Sequence, residues 1–498
     1  MDTSGRRESG AVGGATAAPV GRAEAAGGDR HRGGGVDVGR LLSRALAPFA
    51  RVEQQEAVGV LLMALTVFLL LTSYYLLKIV REPLILLSGG AEVKSYASAG
   101  QAVLLIMVVK AFSALSQRVG RMRLLTAVTL FFVANLMVFF VLGRLGVPLG
   151  VPFYLWVGVF SVTAIGQFWS LAADLFTVEQ GKRLFAVVGI GSSLGAVAGA
   201  RFARTLYDLV GVWGMMLVAA LILPASLALT FLAHRRLGSQ GPGPRSADAP
   251  LAAGGGFAML VRDRYLQLIA VVVVLLNLVN TTGEYVLDRA LLASVLGQDA
   301  ATASAAIAIF KARYFQWVNV ASMGLQLFAV SRIMRYLGMR AALLVLPVIA
   351  VGGYGFIAVA PLLTTTFVTK VAENSVDYSL QNTARQALFL PTSREAKYQA
   401  KAVIDTFLVR AGDVLAASVV WLGVRWHADI RTFALMNVAF AATWVFCAWR
   451  LGGSHARASI AAIASEGVSA PATAAAPRTP TAPPRPRPSR ASGAEMAV

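Results

Sequence analysis

The chain has 498 residues, 57% hydrophobic and only 14% charged, against about 25% charged in ordinary soluble domains. That excludes a soluble globular protein, because too little polar surface remains to face water, and leaves an α-helical membrane protein. The net charge of +20 sits largely in the tails and in short loops between apolar runs. There it sets topology and meets anionic lipid rather than nucleic acid.

The first 50 residues are rich in Gly, Ala and Arg without periodicity, and are expected to be a disordered tail. They contain no apolar core after their arginines, so no cleavable signal peptide is predicted and the first span itself directs insertion. Apolar runs then recur near 56–77, 97–115, 123–143, 151–175, 184–207, 212–233, 265–288, 306–330, 338–358, 361–390, 402–424 and 430–449. Each approaches the roughly 20 residues that a span requires. A Pro/Arg-rich stretch from 452 to 498 is expected to be a second disordered tail.

The loops settle orientation. Arg121 and Arg123, Lys182 and Arg183, Arg235 and Arg236, Arg335 and Arg340, and Lys397 and Lys401 all fall in alternate loops. The opposite loops hold few basic residues, Lys94 and Arg144 among them. The positive-inside rule then places both termini in the cytoplasm, with the chain multi-pass in the inner or plasma membrane. Ser116–Arg123 resembles Arg335–Arg340, and Phe168-Trp169-Ser170-Leu171 parallels Asp377-Tyr378-Ser379-Leu380, at offsets of about 210 to 220 residues. The fold expected is all-α, with 12 transmembrane helices in two pseudo-repeated six-helix bundles. The bundles are residues 51–236 and 263–451, joined by a cytoplasmic linker over 237–262. That plan resembles the major-facilitator transporters, which bind substrate between their halves.

Charges at bilayer depth are costly and usually face a cavity or a partner. Lys78 and Arg81 close the first run three residues apart, on one helix face; snorkelling to the interface is the bland alternative. Asp174 ends the fourth run, where a boundary acid is the alternative. Asn277, Asn280, Glu284 and Asp288 make one stripe on the seventh, lining water or gluing helices. Lys311 and Arg313 open the eighth. On the tenth, Lys370, Glu373, Asp377, Gln381 and Arg385 share a face; Lys370 and Glu373 can neutralise each other, whereas Arg385 needs a partner elsewhere. Arg410 and Asp413 on the eleventh read equally as a structural pair or a site. Gly191, Gly195 and Gly199 form a small-xxx-small ladder that permits close helix contact; without a preceding strand or a following Lys-Ser/Thr it is not a phosphate loop. No metal-spaced His/Cys set and no nucleophile elbow occurs, so neither a metal, a cofactor nor an enzymatic activity is expected.

Three stretches resemble the nucleotide (ATP/ADP) translocases of plastids and intracellular bacteria. They are Leu77-Lys78 to Arg81-Glu82-Pro83-Leu84; Phe168-Trp169 with Asp174, Lys182-Arg183 and Gly189–Gly195; and Arg385 to Pro391 followed by Lys397–Asp405. The resemblance implies a transporter whose basic groups in the first and tenth helices, and acids in the fourth and seventh, carry exchange. By position these are Arg81 and Arg385, with Asp174 and the Asn280/Glu284 region. This chain has Arg at 81 and 385 where the family has Lys, and Asn280 where the family has Glu. Arg is a planar fork and Lys a point charge, so the site is rebuilt for recognition of its anion. The expectation is a secondary transporter of an organic or phosphorylated anion, nucleotides included. Lys78, Arg81, Asn280 and Arg385 bind it, Asp174, Glu284 and Asp377 gate or couple, and a proton is the candidate coupling ion. The competing expectation is a non-transporting membrane scaffold that acts through its basic tails and lacks a central cavity.

Overall fold

The computed structural model describes residues 52–116, 118–176, 178–237, 256–393, 396 and 400–469. The expected first tail, the middle of the linker, Arg394, Lys397 and the chain beyond 469 lie outside them. All regular structure among the described residues is helical. That follows from the solvent: a bilayer core offers no partner for backbone N–H and C=O groups, so each segment must satisfy its own.

In chain order the helices are α1 (Gln54–Ser116), α2 (Arg121–Arg144), α3 (Gly150–Phe160), α4 (Gly166–Leu175), α5 (Val178–Leu237), α6 (Gly256–Arg262), α7 (Arg264–Ser294) and α8 (Ala300–Phe328). They continue with α9 (Val330–Arg332), α10 (Gly338–Val359), α11 (Leu363–Val376), α12 (Asn382–Ala387), α13 (Lys401–Val403), α14 (Val409–Arg425) and α15 (Ile430–Ser469). Wider π turns at Ser161–Ile165, Ile333–Leu337, Asp377–Gln381 and Ile404–Leu408 join several of them end to end. Asp263, Asp299 and Asp429 start helices by accepting from backbone N–H groups: Asp263 from Tyr265 at 2.8 Å, Asp299 from Thr302 and Asp429 from Thr432, both at 2.9 Å. The hydrogen bonds from Thr302 hold the Asp299 carboxyl below its ordinary range.

Eight stretches among the described residues are long and apolar enough to cross a membrane. Two of them, Gln54–Val108 and Arg183–Leu237, run for 55 residues, roughly 80 Å of helix against a hydrocarbon core of about 30 Å. Each turns at a glycine in a left-handed conformation, Gly90 with φ +76° and Gly211 with φ +65°. A side chain at either φ would be strained. The turns fall between the first and second, and the fifth and sixth, predicted spans. Helix α8 and the α11–α12 run coincide with predicted spans eight and ten but are not among the eight stretches, because charged and polar residues dilute them. Lys311 and Lys370 are nonetheless fully buried, whereas Arg313 is exposed.

Two apolar cores result. One is built mainly from α1 to α5 and takes in Leu287, Tyr314 and Phe315 from α7 and α8. The other is built mainly from α7 to α15 and takes in Ile85, Leu86 and Tyr154 from α1 and α3. The borrowed residues surround the charged site described below. The glycine ladder serves packing. A Cβ on Gly191 or Gly195 would strike the carbonyl oxygens of Ala64 or Phe68, and one on Gly199 would lie 2.7 Å from that of Thr72. The four-residue step of α5 therefore meets the four-residue step of α1, and Thr72 Oγ1 donates to the Gly195 carbonyl at 3.2 Å.

Two expected boundaries move. The linker ends in a helix, α6, rather than continuing to 262 as loop. Helix α15 runs to Ser469, through the start of the expected tail at 452. Its Ala-rich stretch favours helix. Its near end is also tied down, by Gly452 against Arg340 and by the Tyr265 hydroxyl 2.9 Å from His455 Nδ1.

Candidate substrate site

The first leg of α1 carries Tyr75, Lys78, Arg81 and Glu82 toward its end, and the second leg, after the turn at Gly90, brings Lys94 back beside them. The α7 stripe places Asn280, Glu284 and Asp288 opposite. Phe315 of α8 and Asn374 of α11 complete the wall, around a cavity of about 170 Å³. Lys78, Arg81, Asn280 and Glu284 thus meet at one cavity.

The remaining expected residues lie elsewhere. Asp377 and Arg385 line a second cavity of about 350 Å³ together with Asn277, and Tyr378 borders both cavities. Arg385 therefore does not face Arg81 across one chamber. The partner it needs is Asp405, 3.9 Å away. Asp174 is exposed at the end of α4 and lines neither cavity.

Along one wall of the first cavity is a lattice of buried charges, only part of which is legible from the sequence. Lys94 Nζ donates to Glu82 Oε2 at 2.5 Å and to Asp288 Oδ2 at 2.6 Å. Lys311 Nζ makes an ion contact with Asp288 Oδ1 at 2.5 Å, off the hydrogen-bonding direction, and lies 3.5 Å from Glu82 and 3.7 Å from Glu284. Two lysines and two carboxylates alternate, so each charge is compensated; a buried charge without a partner would cost several kcal/mol. Glu82 and Lys94 come from α1, Asp288 from α7 and Lys311 from α8, so the lattice ties the two cores together. Lys311 was visible as a charge inside an apolar run. Lys94 was not legible, because from sequence it falls in a loop.

Glu284 is oriented by neutral donors. The Tyr314 hydroxyl donates to it at 2.8 Å and Asn374 Nδ2 at 3.1 Å. Asn280 is occupied from behind: Lys370 Nζ donates to its side-chain oxygen at 2.7 Å and to Glu373 at 2.9 Å, while Tyr354 donates to Glu373 at 2.7 Å. Gly283 leaves room for this cluster, since a Cβ there would run into the Tyr354 hydroxyl. Lys370 and Glu373 are the mutually neutralising pair that their spacing suggests, and Arg410 with Asp413 is another, at 3.0 Å.

Besides Lys94, two cations line the cavity, and they differ. Arg81 Nε donates to Glu82 at 3.1 Å and its guanidinium lies over the Tyr154 ring, 4.6 Å from the centre. Lys78 has only aromatic company, its Nζ 4.0 Å from the Phe315 ring centre and 5.3 Å from that of Tyr75. Among the described residues no carboxylate comes within ion-pair distance of it. Chemically this is a lysine amine with its donors free, beside a fixed guanidinium, at a polar cavity between the two cores.

No family model matches the chain. Among curated proteins it is 23% identical over 297 residues to ADP,ATP carrier protein 1 of Chlamydia pneumoniae, a match covering 51% of this chain and 56% of that protein. The chain thus spans little more than half the length of that relative. Three solved structures are similar in fold. The nucleoside transporter NupG superposes with a TM-score of 0.58 at 11% identity, over 79% of this chain and 98% of that one. A POT family transporter in complex with 5-aminolevulinic acid gives 0.57 at 14%, over 80% and 96%. A bacterial homologue of the iron transporter ferroportin gives 0.56 at 12%, over 79% and 98%. Such identities speak to fold alone. The chain is an all-helical, multi-pass membrane protein with the fold of these solved transporters, and is distantly homologous to a bacterial ADP,ATP carrier.

Proposed function

We propose that the chain is a secondary transporter that moves an organic or phosphorylated anion, with nucleotides in that class, by alternating access between two helical bundles. Lys78 carries the reading: its amine lines the cavity between the two cores, beside Arg81, with no carboxylate among the described residues within ion-pair distance. Arg adds a planar fork and Lys a point charge, a pairing suited to an oxyanion. The homology to an ADP,ATP carrier favours the same ligand chemistry.

In this reading the eight apolar stretches count as ten crossings, because the two long ones turn at Gly90 and Gly211. Helix α8 and the α11–α12 run bring the number to twelve. The bundles are residues 51–236 and 263–451, both termini are cytoplasmic, and the membrane is the inner or plasma membrane. The Glu82–Lys94–Asp288–Lys311 lattice then seals the end of the cavity away from the cytoplasm, and must part for substrate to enter from that side. Glu284, already touching Tyr314, Asn374 and Lys311, is the group through which ligand and lattice communicate. Asp377 and Arg385 line the cytoplasmic approach, with a proton as the candidate coupling ion.

Purified protein in proteoliposomes, offered ADP, ATP, inorganic phosphate and organic acids, tests the reading. Saturable uptake of at least one anion, weakened by Lys78→Gln and Arg81→Gln in folded protein, is expected. No uptake and no ligand-dependent thermal shift across the panel would favour a scaffold instead.

A further inference from the structure

Lys78 is held by rings rather than by acids. Phe315 is 5% exposed and its face is the nearer of the two. The rings form one unit: Tyr75 packs edge-on against Phe315, centroids 6.0 Å apart at 81°, and its hydroxyl donates to Asn319 Oδ1 at 2.9 Å. Tyr75 belongs to α1, Phe315 and Asn319 to α8, so both parts of the chain build the cradle. An aromatic face attracts an ammonium without offering it a strong acceptor, so the charge is steadied while its three N–H donors stay available.

The alternative resting place for that ammonium is close by. Glu82 and Glu284 line the same cavity, and a lysine stem has the freedom to swing between partners. A Lys78 that fell onto Glu284 would be neutralised, and an incoming anion would have to displace a carboxylate.

We infer that Phe315 is a positioning residue for anion recognition, whose ring face, delivered by α8, aims the Lys78 ammonium into the cavity and keeps it off the neighbouring carboxylates. This rests on the reading of the cavity as an anion site. Because the ring comes from α8 and the lysine from α1, affinity at Lys78 also depends on the two parts of the chain being in contact.

The test replaces Phe315 in the full chain with mono-, di- and trifluorinated phenylalanine. These keep the ring's shape while draining its negative face. Uptake of ADP, ATP, inorganic phosphate and organic acids is measured separately in proteoliposomes. For whichever probe is taken up, KM is expected to climb stepwise with fluorination, by roughly 2- to 30-fold in all, the range a cation–π contact spans, with Vmax little changed. Phe315→Leu should raise KM similarly and Phe315→Tyr should restore it. Uptake by the wild type with a KM indifferent to fluorination overturns the role of Phe315 and leaves the anion site standing. Failure of the folded wild type to take up any of these anions removes the anion site, and this inference with it.

Discussion

Asp288 is the residue on which most charges depend, since its two oxygens separately meet Lys94 and Lys311. All three side chains are less than a tenth exposed, so solvent does little to soften a loss. Asp288→Asn is expected to destabilise the protein by about 3–5 kcal/mol, the usual effect of stranding a buried charge, read as a lowered Tm in detergent. Adding Lys311→Met should recover part of that loss, because the stranded charge is then removed; full additivity of the two changes would contradict the lattice. The sequence carried half of this site. Lys78, Arg81, Asn280 and Glu284 announced themselves as charged or polar residues at helical spacing in apolar runs, and they converge. Lys94 was hidden because its burial depends on a turn: Gly90, at φ +76°, reverses α1 and sends a residue with a loop-like address back into the core. Helical spacing put Arg385 on one face with Asp377, and the two share a cavity; only the resemblance set Arg385 in one site with Arg81. A one-dimensional repeat cannot say which of two adjacent cavities a side chain enters.

At the scale of helices, packing between α1 and α5 rests on the glycine ladder. Gly195→Leu would drive a side chain into the Phe68 carbonyl, a backbone atom that cannot rotate away. Misfolding or a large drop in Tm is expected, whereas Gly189→Leu, where a Cβ has open space, should be tolerated. Comparable stability of the two variants would contradict the close approach. This ladder was legible because small residues at four-residue spacing have one main use in membranes. The ends of elements were less so. The α15 extension to Ser469 depends on contacts with Arg340 and Tyr265, more than a hundred residues away in sequence, and local composition describes only its helical tendency.

For the molecule as a whole, apolar runs convey the class, because the bilayer imposes them. With both termini cytoplasmic, as proposed, each loop has a fixed side of the membrane. With Cys447 replaced by Ser, a single cysteine at Gln298, between α7 and α8, should react with a membrane-impermeant maleimide in intact cells. One at Ser246, in the proposed cytoplasmic linker, should react only after permeabilisation. The reverse pattern would invert the topology and move the charge lattice to the cytoplasmic end.

Lys78 is the anion anchor of the proposed transport. The most direct measurement is the KM for anion uptake into proteoliposomes by wild type and Lys78→Gln, each shown to be folded by its Tm. Loss of a charge-assisted hydrogen bond is worth about 1.5–3 kcal/mol, so a rise in KM of roughly 10- to 100-fold is expected. Saturable anion uptake with an unchanged KM in Lys78→Gln would contradict it.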